Sequence, residues 1–214
     1  MAFTIDPAVA ARNAEHQRQL EARAFRVGSL RNRLSEMYPP GTGITLEIGC
    51  GHGHFLTAYA QRHPGKACLG IDLLNRRIEK AEQKRSKRAL GNLHFLKAEV
   101  TEFLEAWPRE RGLERCFILF PDPWPKKRHL KNRILQPALL EALAALATPG
   151  AALHFRTDHE GCFEWGLEQI RSHPRWEIRA GAPWPFENAS YFQELAGSYR
   201  SLSAAVSPLP GDGA

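Results

Sequence analysis

Long hydrophobic runs are missing from this sequence. No stretch approaches the roughly 18 consecutive apolar residues that a membrane-spanning helix needs,. The first 19 residues become polar and charged too early for a secretory signal peptide,. We therefore expect a cytoplasmic protein that does not associate with membranes.

Paired metal ligands and internal repeats are also missing. The four cysteines, Cys50, Cys68, Cys116 and Cys162, are widely spaced and form no C-x-x-C pair,. Three of them lie in or beside apolar runs, which favours small buried hydrophobic residues in a reducing compartment. The nine histidines show no metal-ligand spacing either. The sequence predicts no metal site.

The length and charge of the chain are informative. Its 214 residues are enough for one domain with a substantial core, and 43% of them are hydrophobic,. The net charge is +6, which favours a polyanionic partner,. We predict a basic helical extension over residues 1–40, a main domain over 41–207 and a disordered tail over 208–214.

Two predicted helices carry much of the positive charge. The first covers Pro7 to Met37, with Asp6 as its N-cap, and contains Arg12, Arg18, Arg23, Arg26, Arg31 and Arg33,. The second covers residues 75–89 and contains Arg76, Arg77, Lys80, Lys84, Arg85, Lys87 and Arg88. Each helix could contact RNA, or could simply present a solvated charged face.

A proline-rich loop over residues 118–129 is the most unusual segment. An apolar strand from Arg115 to Phe120 leads into it, and three prolines then prevent a helix or a ladder strand,. The loop carries Asp122, Trp124 and a basic cluster that begins at Lys126. An acid beside a flat ring can hold a heterocycle, and the cations can hold the attached phosphates. A solvated surface loop would explain neither the acid nor the ring.

A glycine loop follows the first predicted strand. Gly49, Gly51 and Gly53 have the spacing Gly-x-Gly-x-Gly between a strand and a helix,. The dinucleotide fingerprint would need glycine where His54 stands, which disfavours an NAD-linked dehydrogenase,. The segment resembles motif I of the class I S-adenosylmethionine (AdoMet) methyltransferases. By that resemblance, Glu47 would face the ammonium group of AdoMet.

Acids follow the other predicted strands. Asp72 ends the strand over 67–72 and could grip ribose hydroxyls, or could cap the helix near residue 75,. Glu99 ends the strand over 92–99 and could accept from the adenine amine, or could cap the next helix,. Asp158 follows a strand over 151–156. With Glu47 and Asp122, these five acids should share one edge of the sheet.

The remaining elements are predicted from apolar periodicity and breakers. We predict a helix from His129 to Thr148, ended by Pro149 and Gly150,. A further helix should cover residues 159–173. Two weaker strand signals lie within 175–206, around a loop rich in proline, tryptophan and phenylalanine.

Three blocks together resemble the bacterial tRNA (guanine-N7)-methyltransferases. They are residues 46–51, the segment Phe-Pro-Asp-Pro-Trp-Pro-Lys-Lys-Arg-His over 120–129, and Arg-Thr-Asp over 156–158. The resemblance covers roughly residues 44–165. It implies an α/β class I AdoMet methyltransferase (Rossmann-like) fold, with a seven-stranded, mostly parallel sheet and helices on both faces. It also implies AdoMet as cofactor and tRNA as partner.

The same resemblance implies roles for single residues. The cofactor would be held by Glu47, Gly49, Gly51, Gly53, Asp72, Glu99 and Asp122, with Asp122 also catalytic. Lys126 and Asp158 would bind substrate. The family's later Thr-x-x-Glu segment is matched nearest by Ser190 to Gln193, where Gln193 lacks the negative charge.

That departure leaves alternatives open. One is an AdoMet methyltransferase that acts on another RNA or a small molecule. Another is a protein that binds AdoMet or RNA without catalysis. The sequence does not distinguish a monomer from a homodimer.

Overall fold

The fold is built on one seven-stranded sheet. The structure is a computed structural model that describes residues 7–188 and 197–207. The elements in chain order are α1 Pro7–Met37, β1 Gly43–Ile48, α2 His54–Arg62, β2 Ala67–Asp72, α3 Asn75–Lys87, β3 Leu93–Lys97, α4 Val100–Ala106, β4 Gly112–Leu119, a 3-10 helix Lys127–Asn132, α5 Pro137–Leu146, β5 Ala147–Thr157, α6 Glu160–Ser172, β6 Trp176–Ile178 and β7 Arg200–Val206.

The strand order is β3-β2-β1-β4-β5-β7-β6, and strands β1 to β5 pair with one another in parallel. Strand β7 runs antiparallel to both β5 and β6. Parallel strands need helical crossovers, which cover both faces of the sheet. Their residues are accordingly apolar and buried, and all four cysteines are buried. The predicted seven-stranded, mostly parallel sheet is confirmed.

The C-terminal part of α1 belongs to the main hydrophobic core. Val27, Leu30, Leu34 and Tyr38 are buried there, and the Tyr38 hydroxyl donates to the carbonyl of Cys68 at 2.7 Å. The first two-thirds of α1 are mostly exposed. No helix in the described ranges is long and apolar enough to cross a membrane. The predicted tail over 208–214 lies outside the described residues.

The predicted helix from His129 to Thr148 is wrong. A short 3-10 helix comes first, Gln136 is extended, and α5 begins only at Pro137. Proline suits the first helical position and forces the preceding residue out of the helical region. Helix α5 ends at Leu146, and β5 begins at Ala147 rather than at residue 151.

Strand β5 contains Pro149 and Gly150, which the sequence predicted would end a helix. The strand accommodates them because its pairing with β4 is interrupted at these residues. Ala147 pairs with Leu113, whereas Ala152 pairs with Arg115, so the residues between them bulge out of the ladder. Proline and glycine are accepted at such bulges because no ladder hydrogen bond has to be broken. Pro149 and Gly150 are both exposed.

Leu34 should make α1 essential to folding stability. Its side chain is 0% exposed, so Leu34→Ala leaves a cavity and should cost about 2 to 5 kcal/mol of unfolding free energy,. Leu20→Ala is the matched control on the same helix, because Leu20 is 47% exposed and should change stability by less than about 0.5 kcal/mol,. Urea titration measures both; equal effects would contradict the packing of α1.

Candidate active site

The five predicted acids lie at the carboxyl ends of five adjacent parallel strands, an edge of the sheet that we call the carboxyl edge. Glu47 and Asp72 lie within their strands and are buried. Glu99 is half-buried, whereas Asp122 and Asp158 are exposed. Parallel pairing therefore brings the five strand ends to one edge. Two of the acids are buried there, one is half-buried and two are exposed to solvent.

The glycine loop between β1 and α2 has an unusual backbone. Gly49, Gly51 and Gly53 have φ values of 76°, 54° and 69°, which side-chain-bearing residues rarely adopt,. A Cβ atom at Gly49 or Gly51 would meet nothing within 4 Å, whereas at Gly53 it would lie 2.6 Å from the Phe95 ring. The first two glycines border open space in which a ligand can approach the backbone, and the third allows tight packing.

Glu47 is a buried acid whose hydrogen bonding is incomplete. Its side chain is 4% exposed, and Oε2 has no hydrogen-bond partner among the described residues. Burial raises its pKa to about 8, the Leu56 backbone opposes this by hydrogen bonding, and the Asp72 charge adds to the rise,. A cationic group placed against Oε2 would favour the carboxylate. Glu47 therefore fits a ligand that carries an ammonium group.

Asp72 connects β2 to the glycine loop. Its Oδ2 accepts from the Gly51 amide at 3.0 Å, and its Oδ1 accepts from the Leu74 amide at 2.9 Å. Arg77 donates to Oδ2 at 3.4 Å. Leu74, not Asp72, is the N-cap of α3, so the capping alternative is wrong. A carboxylate has further lone pairs, so Asp72 can still accept hydroxyl donors.

Glu99 is the N-cap of α4, as one of the two alternatives predicted. Its Oε2 accepts from the amides of Thr101 at 2.8 Å and Glu102 at 3.1 Å, and also from the Thr101 hydroxyl. All three bonds use the same carboxylate oxygen. Capping explains the acid at this position, and a contact with adenine remains a prediction.

The loop that carries Asp122 has a constrained backbone. Phe120 and Trp124 have φ values of 48° and 43°, a costly conformation for residues with side chains,. The Phe120 amide donates to the Arg156 carbonyl at 2.8 Å, which ties the loop to β5. The Trp124 ring meets His129 edge-on at 5.5 Å between centroids. Asp122 therefore lies, exposed, in a loop whose backbone is constrained on both sides.

Arg133 ties that loop to the segment after Asp158, and no pattern in the sequence indicated this role. It is 6% exposed, donates to the Pro123 carbonyl at 2.9 Å and to the Gly161 carbonyl at 2.6 Å. Pro123 follows Asp122, and Gly161 lies in the first turn of α6. Lys126 lies exposed just before the 3-10 helix, followed by the exposed Lys127 and Arg128.

Arg156 belongs to the Arg-Thr-Asp block, but its role was not predicted. It is 3% exposed and binds both carboxylate oxygens of Glu187, at 2.8 and 3.0 Å. Its guanidinium lies 4.0 Å from the Trp184 ring centroid and 4.5 Å from that of Tyr199. These contacts hold both ends of the segment that contains Ser190 and Gln193, which lie outside the described residues. An aromatic-rich loop was the only signal in the sequence.

The fold is that of known methyltransferases. A solved aminoglycoside resistance methyltransferase, NpmB1, matches with a TM-score of 0.56 at 18% identity, over 83% of this chain and 93% of that one. At that identity the likeness concerns the fold alone. Together with the glycine loop and the buried acid behind it, it defines the fold class: the α/β, Rossmann-like fold that methyltransferases use.

Sequence relatives narrow the class to a family. A family model described as "Putative methyltransferase" matches residues 42–195. The tRNA (guanine-N(7)-)-methyltransferases of Rhodospirillum rubrum and Synechococcus sp. WH7803 are each 35% identical, over 79% and 76% of this chain. The matches span 66% and 75% of those two proteins, and 52% to 61% of further relatives of the same name. The chain belongs to the tRNA (guanine-N(7)-)-methyltransferase family.

Loss of Arg133 should loosen the loop that carries Asp122. Arg133→Met leaves the Pro123 and Gly161 carbonyls without their donor, which should cost about 1 to 3 kcal/mol of local stability. Hydrogen exchange at the Phe120 amide, which donates to the Arg156 carbonyl at the start of this loop, should therefore accelerate,. Lys131→Met removes an exposed cation from the same region and is the matched control. Unchanged exchange in the Arg133 variant would contradict this positioning role.

Proposed function

We propose that this protein transfers the methyl group of AdoMet to N7 of a guanosine in tRNA, in the cytoplasm. The observation that carries the proposal is the placement of two dissimilar half-sites on one edge. The β1 end offers a glycine loop with a buried, incompletely bonded acid, and the neighbouring β4 end offers an exposed acid in a constrained loop. The family's characteristic loop sequence supports the assignment.

The first half-site fits AdoMet, which supplies an electrophilic methyl group on sulfonium. Glu47 Oε2 would accept from the methionine ammonium, because it is buried and lacks another partner among the described residues. Gly49 and Gly51 would let the methionine and ribose approach the backbone,. Asp72 would accept from the ribose hydroxyls, and Glu99 would contact the adenine side.

The second half-site would hold the guanine. N7 carries a free lone pair, so the protein need not supply a strong general base. Alignment of N7 with the methyl group and exclusion of water are then the main tasks. Asp122 and Asp158 would hold the guanine edge and favour the positive charge that moves onto the ring. Ser190 and Gln193 would contribute to closing the site.

The cations beside this half-site would hold the nucleic acid. Lys126, Lys127, Arg128 and Lys131 are all exposed and follow Asp122 directly along the chain. They would bind phosphates next to the target nucleotide, so affinity should weaken steeply with salt. The guanine itself must leave its stack to reach the carboxyl edge.

A second candidate rests on Gln193. Its neutral amide stands where the family has an acid, and this motivates a methyltransferase that acts on another RNA or on a small molecule. The methylated nucleoside distinguishes the two candidates.

Labelled methyl transfer tests the proposal. With tritiated AdoMet and unmodified tRNA, we expect label in 7-methylguanosine, and Asp122→Asn should reduce transfer at least about 100-fold because a charge near the reacting ring is removed. Glu36→Gln neutralises an exposed acid on α1 and should keep full activity. Label in another base, or none in tRNA, would contradict the proposed substrate.

The raised pKa of Glu47 makes AdoMet binding dependent on pH. In the free protein this carboxyl is mostly protonated below pH about 8, and an ammonium partner would favour its ionised form,. AdoMet affinity should therefore rise with pH up to about 8, with release of a proton. The same raised pKa also affects the stability of the free protein. The pKa of Glu47 is about 8 in the folded protein and 4.5 in the unfolded chain, so the free energy of unfolding should fall as pH rises from 4.5 to about 8,.

Calorimetry in buffers of different ionisation enthalpy counts the released proton. Glu47→Gln keeps the shape of the side chain but cannot ionise, so it should abolish the proton release and weaken binding. The same proton count in the variant and the parent protein would exclude Glu47 as the ammonium partner.

A further inference from the structure

Six cations lie along one side of α3 and its C-cap. One of them, Arg77, pairs with Asp72 at 3.4 Å. The other five are Arg76, Lys80, Lys84, Lys87 and Arg88, which we call the α3 stripe. At 3.6 residues per turn they fall within about one third of the helix circumference. The acids of the helix, Glu79 and Glu82, fall outside this sector. Ile78 and Ala81 occupy the buried face.

Most of the α3 stripe has no intramolecular counter-charge. In the described part of the chain, no carboxylate forms an ion pair with any of its five members. Lys84 instead donates to the His52 carbonyl at 2.7 Å and lies 2.8 Å from His54 Nε2. The two acids of the helix are engaged elsewhere, since Glu79 binds Asn75 and Glu82 binds Arg85 and the Phe95 amide.

Helix α1, the other basic helix, differs in this respect. Arg18 pairs with Glu15 at 2.6 Å, Arg23 with Glu105 at 2.5 Å and Arg26 with Glu102 at 2.5 Å. Arg31 donates to the Glu105 carbonyl at 3.0 Å. Arg23 and Arg26 therefore have their charge compensated by acids of α4. Among the described residues, Arg12, Arg31 and Arg33 form no ion pair.

The cations of α3 also act on their neighbours. Desolvation lowers the pKa of His52, and the charges of Lys80, Lys84 and Arg77 lower it further, against a smaller opposing effect of Asp72. The pKa of Lys84 is lowered by desolvation and then by Arg88 and Lys80. The surface therefore carries a positive potential that the protein itself leaves uncompensated, which a polyanion would relieve.

We propose that the α3 stripe binds the tRNA backbone beside the target nucleotide, an inference that rests on the function proposed above. Asp72 leads through two residues into α3, so the stripe begins at the carboxyl edge, and Lys84 contacts the glycine loop. From Arg76 to Arg88 the helix rises about 18 Å. That length suits a run of several consecutive phosphates on one strand.

A triple variant tests the stripe. Arg76→Gln, Lys80→Gln and Lys87→Gln together remove three exposed charges and keep Lys84, which bonds to the glycine loop, and Arg88, which is the C-cap of α3. The matched control is Arg62→Gln, Arg109→Gln and Arg171→Gln. These three exposed cations lie near the amino ends of the strands, opposite the carboxyl edge. Arg62 and Arg171 are in the last turns of α2 and α6, and Arg109 precedes β4.

The readouts are tRNA affinity over a series of salt concentrations, AdoMet affinity and thermal unfolding. In the stripe variant, the slope of log K against log salt should fall by about 3, because three phosphates no longer have a cation bound to them. Its Kd for tRNA at low salt should rise at least about tenfold. AdoMet affinity and the unfolding temperature should stay at parent values. The control variant should keep the parent slope.

A local readout accompanies the binding data. In the parent protein, the His52 pKa measured by NMR should rise when tRNA binds, because phosphates offset the neighbouring cations. In the stripe variant this rise should be smaller. The control variant should show the full rise.

Distinct outcomes would overturn the inference and the proposed function. Equal salt slopes in the stripe and control variants would overturn the role of α3, even if methyl transfer to tRNA is normal. Absence of methyl transfer to tRNA by the parent protein would overturn the proposed function, while the slopes still report on the stripe. Stripe-dependent binding to phosphatidylserine vesicles or polyglutamate as tight as to tRNA would also overturn the inference.

Discussion

Parallel pairing is the constraint on which the rest of this molecule depends. Each of the strands β1 to β5 can join a parallel neighbour only if the chain returns over a face of the sheet, so all five carboxyl ends meet at one edge,. The two edges then have separate roles. Near the amino ends of the strands, buried Arg111 donates to the carbonyls of Tyr38 and Ser35 and fastens α1. The carboxyl edge is left available for polar groups that the core does not use.

The carboxyl edge is energetically unfavourable when it is considered alone. Glu47 is buried without a full set of partners among the described residues, and two non-glycine residues, Phe120 and Trp124, hold positive φ values. Each such feature costs on the order of 1 to 3 kcal/mol. The apolar core offsets this cost. Arg133 holds the Asp122 loop through backbone carbonyls, and Arg156 binds the Glu187 carboxylate and packs against aromatic rings. Preset polar groups of this kind lose little freedom when a ligand arrives, which is the requirement for catalysis by positioning.

The sequence predicted the strands of this edge because each is an apolar run with an acid near or just beyond its carboxyl end. It also indicated that the glycine loop is not a dinucleotide site, because residue 54 is histidine where that fingerprint needs glycine,. The predicted helix over 129–148 was wrong, because the apolar periodicity did not show that α5 begins only at Pro137. It also did not show that β5 begins at Ala147, before a bulge that accommodates Pro149. The sequence could not identify Arg133 and Arg156 among 29 lysines and arginines, because their partners are distant carbonyls and rings. For Glu99, the sequence offered two alternatives, and the structure shows that it caps α4.

Charge shows the same limit of sequence reasoning, since a net charge of +6 does not say where a polyanion would bind. From the sequence alone, the arginines of α1 and the cations of α3 cannot be distinguished by whether an acid pairs with them. In the structure, Arg23 and Arg26 of α1 pair with acids of α4, whereas no acid in the described part of the chain pairs with a member of the α3 stripe. Exposed ion pairs add little stability, but they do cancel the local field. A purely structural helix would gain from interspersed acids, because like charges three or four residues apart repel. An uncompensated stripe beside the glycine loop is therefore better explained by a partner that brings the negative charge.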